Sequence, residues 1–101
     1  MKAMDREAIL ERLRAHEPEL RRLGVSRLSL FGSVARGEAG PQSDIDLAAE
    51  LDRSRRIGLF HYNEIAERLE EMLDAKVDLL TEPARKPRMQ AEIDRDRVHV
   101  F

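Results

Sequence analysis

The stretch Leu28-Ser29-Leu30-Phe31-Gly32-Ser33-Val34-Ala35-Arg36-Gly37, followed ten residues beyond Ser33 by Asp44-Ile45-Asp46, decides how this chain is read. It combines a hydrophobic strand, a small-residue turn that opens a helix, and a second strand carrying two acids. Successive side chains of a strand alternate between faces, so Asp44 and Asp46 share one face while Ile45 and Leu47 take the other. Like charges at this i, i+2 spacing, roughly 5–7 Å apart, repel and raise one another's pKa unless a cation compensates. A hard divalent ion with oxygen ligands is the usual answer, and Mg²⁺ tends to take one or two carboxylates together with phosphates. The Gly32-Ser33 turn supplies the other half, because glycine lets the backbone approach a ligand and free N–H groups at a helix start attract anions. Together the parts describe a nucleotide-phosphate site.

Outward from this stretch, apolar residues at Ile9, Leu10, Leu13, Leu20 and Leu23 among many Glu and Arg predict an amphipathic helix over residues 5–23, broken or restarted at Pro18. Gly24 is a natural stop, and Val25–Phe31 reads as a strand that delivers Gly32. A short helical turn through Val34, Ala35 and Arg36 ends at Gly37, and residues 38–43, with Gly40 and Pro41, read as loop. Residues 44–51 follow as a strand apolar enough to be buried on both faces. An acid in such a strand costs stability unless it is used or satisfied. Residues 52–56 form a charged turn, and residues 57–73 return to helical spacing through Ile57, Phe60, Ile65, Leu69, Met72 and Leu73. A third strand is expected over 76–80, with Asp78 inside it. Pro83 and Pro87 are expected to keep the next stretch open, before a short helix over 89–95 and a small strand over 98–101. This order suggests an α/β (α+β) sandwich, a small sheet covered by helices.

The 101 residues suit a single domain, residues 1–101. Eighteen basic and 20 acidic residues give a net charge of −2, and 38% charged against 42% hydrophobic residues indicate a soluble globular protein. No direct nucleic-acid binding is expected from that balance. The absence of cysteine excludes disulfides and thiolate metal sites. The first residues, Met1 to Glu7, lead into a charged segment rather than an apolar run, so neither a signal peptide nor a membrane anchor is expected, and the location is read as cytoplasmic.

At Gly32-Ser33, the ten-residue spacer and Asp44-Ile45-Asp46, the chain resembles the nucleotidyltransferase superfamily related to DNA polymerase beta. Lys76-Val77-Asp78-Leu79-Leu80 offers Asp78 where that family has a third carboxylate, and the Ala35-Arg36-Gly37 continuation resembles the minimal nucleotidyltransferases often encoded as antitoxins beside a HEPN-domain ribonuclease toxin. The resemblance runs from about Val25 to Leu80. It implies the nucleotidyltransferase fold, a mixed sheet flanked by helices in which the strands bearing Asp46 and Asp78 are neighbours. It implies that Asp44 and Asp46 bridge two Mg²⁺ ions, that Asp78 binds the catalytic one and helps deprotonate the acceptor, and that Gly32 and Ser33 hold the β- and γ-phosphates of ATP. It also implies AMP transfer to a tyrosine of a HEPN toxin.

Each residue also has a plainer reading. Asp44 and Asp46 could form an Asx turn at a strand end, Asp78 could lie at a sheet edge, and Ser33 could be the N-cap of the short helix. Arg36 either pairs with a surface acid or reaches a phosphate of the nucleotide. Arg85, Lys86 and Arg88 could touch a triphosphate or an acidic partner, although a charged loop is mostly solvated. His61, Tyr62, Asn63, His16 and His99 are assigned no chemistry. Two rival functions stay open: a non-enzymatic antitoxin that neutralises its toxin by binding, and a nucleotidyltransferase acting on a small molecule or an RNA end.

Overall fold

The computed structural model describes residues 5–40 and 42–101. The helix expected over residues 5–23 forms as two, α1 (Arg6–Ala15) and α2 (Glu17–Arg22). Asp5 caps α1 by accepting a hydrogen bond from the Ala8 N–H at 2.8 Å, and Pro18 sits in the first turn of α2, where its missing N–H costs nothing. Gly24, at φ +106°, turns the chain into β1 (Val25–Phe31). A single turn, α3 (Gly32–Ala35), leads by a loop containing Pro41, which lies outside the described residues, to β2 (Ile45–Leu51). Next come α4 (Leu59–Leu73), β3 (Val77–Thr81), α5 (Pro87–Asp96) and β4 (Val98–His99).

The strands form one mixed sheet in the order β3-β2-β1-β4. β1 runs antiparallel to β2 and β4, whereas β2 and β3 are parallel. Parallel neighbours need a crossover of a dozen or more residues, and the segment containing α4 supplies it. The expected adjacency of the strands bearing Asp46 and Asp78 is met, with the two residues directly opposite one another.

Alternation along the strands sorts the core into two layers. Leu28, Leu30, Ile45, Leu47, Ala49 and Leu79 pack with Ile9, Leu10 and Leu13 of α1, Leu20 of α2, and Ile65, Leu69, Met72 and Leu73 of α4. On the opposite face, Phe31 and Ala48 pack with Ile93 of α5, with Leu80 and Met89 beside them. Val25 belongs to the first layer although it has the parity of Phe31, because the pairing slips between Val25 and Arg27. Such a bulge moves every residue beyond it to the other face. This face-switching is why β1 lacks clean alternation in the sequence.

Both sheet edges are closed by side chains. On the outer edge of β3, Tyr62 Oη donates to the Leu79 carbonyl and Glu70 Oε2 accepts from the Val77 N–H at 3.1 Å. Beyond β4, Arg14 donates from Nε to the Val100 carbonyl and from Nη2 to the His99 carbonyl, each at 2.9 Å. These contacts satisfy main-chain groups that would otherwise offer a template for pairing with another chain.

Three expectations need correction. Phe60 has the helical spacing of the apolar residues of α4 but does not join its buried stripe, being 91% exposed in the first turn of the helix. Pro87 does not hold the chain open but starts α5, at the helix-initiating position where proline is pre-organised. The last strand is confined to Val98–His99, although the Val100 N–H still bonds the Leu28 carbonyl at 2.9 Å.

Truncating a fully buried residue of the central strand should be costly, and truncating Phe60 should not. Leu47→Ala is expected to lower unfolding free energy by about 2–5 kcal/mol in urea denaturation, whereas Phe60→Ala should change it by less than about 0.5 kcal/mol.

Candidate active site

A cleft of about 390 Å³ opens where β1 ends and β2 and β3 begin, on the face covered by α5. Phe31, Gly32, Ser33, Arg36, Asp46 and Asp78 line one side, and Met89, Glu92, Arg95 and Asp96 line the other from α5. Asp46 lies opposite Phe31 on one neighbour and opposite Asp78 on the other, so strand alternation points both acids to the α5 face. α5 packs over Ala48 and Phe31 through Ile93 and leaves the acid-bearing end of the strands open.

Gly32 makes the close approach possible. Its φ is +78°, and a Cβ there would lie 2.2 Å from Asp46 Oδ2 and 2.9 Å from its Cγ. No side chain fits, so the glycine backbone stands directly against the carboxylate. Phe31 is the cap residue of α3 and Ser33 lies inside its single turn, so Ser33 is not the N-cap that its residue type suggested. Its hydroxyl makes no hydrogen bond among the described residues and lines the cleft.

Burial first, then the charges of Asp78 and Asp44, raise the Asp46 pKa from 3.8 to about 6. Asp44 lies one residue before β2, exposed to solvent, and is not among the cleft-lining residues. The strand starts later than expected because the pairing of β2 with the β3 side begins at Ile45, whose N–H bonds the Lys76 carbonyl at 3.0 Å. Asp44 therefore acts on Asp46 through charge rather than as a wall of the cleft.

Among the described residues, no three His, Asp or Glu side chains form a group that could hold a metal ion alone. Asp46 and Asp78 nevertheless fit a hard divalent cation, because such a cation relieves the repulsion that, after burial, raises the Asp46 pKa, and Mg²⁺ completes its shell with phosphate oxygens.

Arg36 pairs with acids: its Nε donates to Glu38 at 2.8 Å and its Nη1 to Asp96 at 2.7 Å. It still lines the cleft, so the two readings open from sequence meet in one residue. Arg85, Lys86 and Arg88 are exposed and line no part of this cleft. His61 hydrogen-bonds the Leu23 carbonyl and Tyr62 the Leu79 carbonyl, both packing roles. Sequence reading missed Met89, Glu92 and Asp96, which recur at i, i+3 and i+7 on one face of α5. That spacing was available, but a mixed polar face looks the same whether it meets solvent or a ligand.

A second concavity of about 540 Å³ lies at the far ends of β2 and β3, lined by Leu51, Arg55, Ile57, Leu59, Tyr62 and Pro83 among others. It is larger but holds neither the Gly32-Ser33 turn nor the Asp46–Asp78 pair. The smaller cleft carries the chemistry.

The raised Asp46 pKa fixes the sign of a pH effect. A carboxyl that binds its proton more tightly folded than unfolded favours the native state at low pH, and that contribution is lost as pH rises from about 4 through about 6. In EDTA, Asp46→Asn is therefore expected to be more stable than the parent at pH 7.5 by about 1 kcal/mol, after discounting for partial exposure. The advantage should vanish near pH 4, as read by urea denaturation at both values.

Residues 8–99 match the nucleotidyltransferase domain family. The protein adenylyltransferase MntA of Thermococcus cleftensis is 36% identical over 89 residues, spanning 87% of this chain and 88% of that protein. MJ1379 of Methanocaldococcus jannaschii, provisionally named a protein adenylyltransferase, is 38% identical over 94 residues, 91% of this chain and 94% of its own length. Among solved structures, one provisionally named a minimal nucleotidyltransferase superposes with a TM-score of 0.72 at 33% identity, covering 97% of this chain and 98% of the other. A chain of the complex between tri-AMPylated Shewanella oneidensis HEPN toxin and its MNT antitoxin shares the fold at a TM-score of 0.65, with 19% identity over 91% of this chain and 71% of that one. With the cleft's acids, its glycine turn and these matches in agreement, the chain belongs to the nucleotidyltransferase domain family.

Proposed function

We propose that this protein transfers AMP from ATP to a tyrosine hydroxyl of a HEPN-type ribonuclease toxin and so acts as its antitoxin in the cytoplasm, with the chain serving as one minimal transferase domain. The observation that carries this reading is the in-register pair Asp46 and Asp78 beside the Gly32-Ser33 turn. The named adenylyltransferase relatives and the MNT–HEPN complex of like fold support it.

Asp46 and Asp78, with Asp44 at the rim, would hold Mg²⁺; the ions would neutralise phosphate charge and align the attacking and leaving oxygens of an in-line displacement. The Gly32 backbone and the Ser33 hydroxyl hold the β- and γ-phosphates, and Arg36 faces the same anionic tail. The tyrosine oxygen attacks the α-phosphorus, its bond to the α–β bridging oxygen breaks, and pyrophosphate leaves. Asp78 takes the proton released by the hydroxyl. The cleft walls carry four carboxylates against two guanidinium groups, so a bare triphosphate is repelled and nucleotide enters with divalent cation.

Neutralisation by binding alone is the second reading, and one observation favours it. Leu59 and Phe60, 71% and 91% exposed, form a bare apolar tip on α4 that suits partner contact.

The two readings separate in one experiment. In a lysate of the source cell with Mg²⁺, α-³²P-ATP is expected to label a protein of toxin size while γ-³²P-ATP does not, and the Asp44→Asn/Asp46→Asn variant should abolish the label. Label in RNA or a small molecule instead would displace the protein acceptor, and a double variant that still neutralises the toxin would favour binding alone. Gly32→Ala, which forces a Cβ into Asp46, is expected to lower transfer about 10²-fold, read as initial rate at saturating ATP.

A further inference from the structure

We propose that Asp96 is a positioning residue that presents Arg36 and Arg95 as a paired guanidinium clamp for the polyphosphate of the bound nucleotide, an inference that rests on the nucleotidyl-transfer reading above. Asp96 is the last residue of α5, and its side chain is only 4% exposed. Its carboxylate accepts from Arg36 Nη1 at 2.7 Å and from Arg95 Nε at 3.0 Å and Nη2 at 3.3 Å. Arg36 arrives from the end of α3 and Arg95 from α5, and all three line the cleft that holds Gly32, Ser33, Asp46 and Asp78.

One guanidinium would neutralise one carboxylate. Two guanidinium groups here meet two carboxylates, because Arg36 also pairs with Glu38, so what the cluster offers a phosphate is open donors rather than net charge, on the rim of a cleft whose remaining ionisable groups, Asp46, Asp78 and Glu92, are acidic. The bonds to protein use Nε and Nη1 of Arg36 and Nε and Nη2 of Arg95, which leaves Arg36 Nη2 and Arg95 Nη1 unpaired among the described residues. A planar guanidinium held on one side and open on the other is suited to phosphate oxygens. The two polarities divide the ligand: the reacting phosphate belongs at the carboxylates and the leaving pyrophosphate at the arginines. Without Asp96, both long side chains, 38% and 65% exposed, lose their common anchor and regain rotamer freedom.

Calorimetric titration of the full chain with Mg²⁺–ATP and, separately, with AMP tests this. Asp96→Asn and the more exposed Arg95→Gln are each expected to weaken Mg²⁺–ATP about tenfold while leaving AMP within about twofold, since AMP lacks the clamped phosphates. Asp96→Glu should recover part of the loss, and in transfer assays KM for ATP should rise with little change in kcat. Equal weakening of ATP and AMP would show a structural role and overturn the clamp. So would unchanged ATP affinity in both variants, with the transfer reading left standing. A parent protein that binds no Mg²⁺–ATP at all would overturn both.

Discussion

Two like charges are held face to face by the parallel register of β2 and β3. Asp46 and Asp78 are direct cross-strand neighbours, and the charge of Asp78 adds to burial in raising the Asp46 pKa. A sheet does not adopt this pairing for its own stability. It is sustained because Leu47, Ala49 and Leu79, next along the same strands, are buried against α1 and α4, and shifting the register by one residue would expose them. The hydrophobic layer on one face thus enforces the carboxylate pair on the other.

The rest of the architecture accommodates that pair. The α4 crossover makes the strands parallel, and its Tyr62 and Glu70 then close the outer edge of β3. Arg14 performs the same service at the opposite edge, reaching from α1 to two carbonyls beyond β4. A sheet so bounded keeps its unpaired groups away from other chains and leaves its open end for ligands. α5 covers the second face only as far as Phe31 and Ala48, so the acid-bearing ends of the strands face a cleft rather than a core.

Within the cleft, Asp46 and Asp78 lie on the sheet side and Glu92 on the α5 side, while Arg36 and Arg95 meet across it at the carboxylate of Asp96. The same last turn of α5 leads into a second ion pair, in which Arg97 joins Glu82 at 2.6 Å and reaches Ser29 of β1 at 2.9 Å. Polar contacts at the C-terminal end of α5, beyond Ile93, thereby tie it to the sheet. The cleft wall it provides is held by the fold rather than by a flexible loop.

Much of this was legible in the sequence, for a local reason. Strand periodicity, the Gly24 stop and the Gly32-Ser33 turn depend on neighbouring residues alone, so β1, β2 and β3 could be read before any coordinates, while Asp78 was singled out by the family resemblance. Asp44 was placed inside a strand that starts one residue later, because strand ends are set by the partner's hydrogen bonds and not by the residue itself. Whether Phe60 faces the core stays open from the sequence, because helical spacing gives its side of the helix and not what packs there; the structure leaves it exposed. Only the tertiary structure decided that α5 folds over the second face, that Glu92, Arg95 and Asp96 complete the cleft, and that Arg36 shares its partner with Arg95. These contacts join residues about 60 positions apart along the chain, and no local pattern records a meeting that depends on how the intervening strands pair.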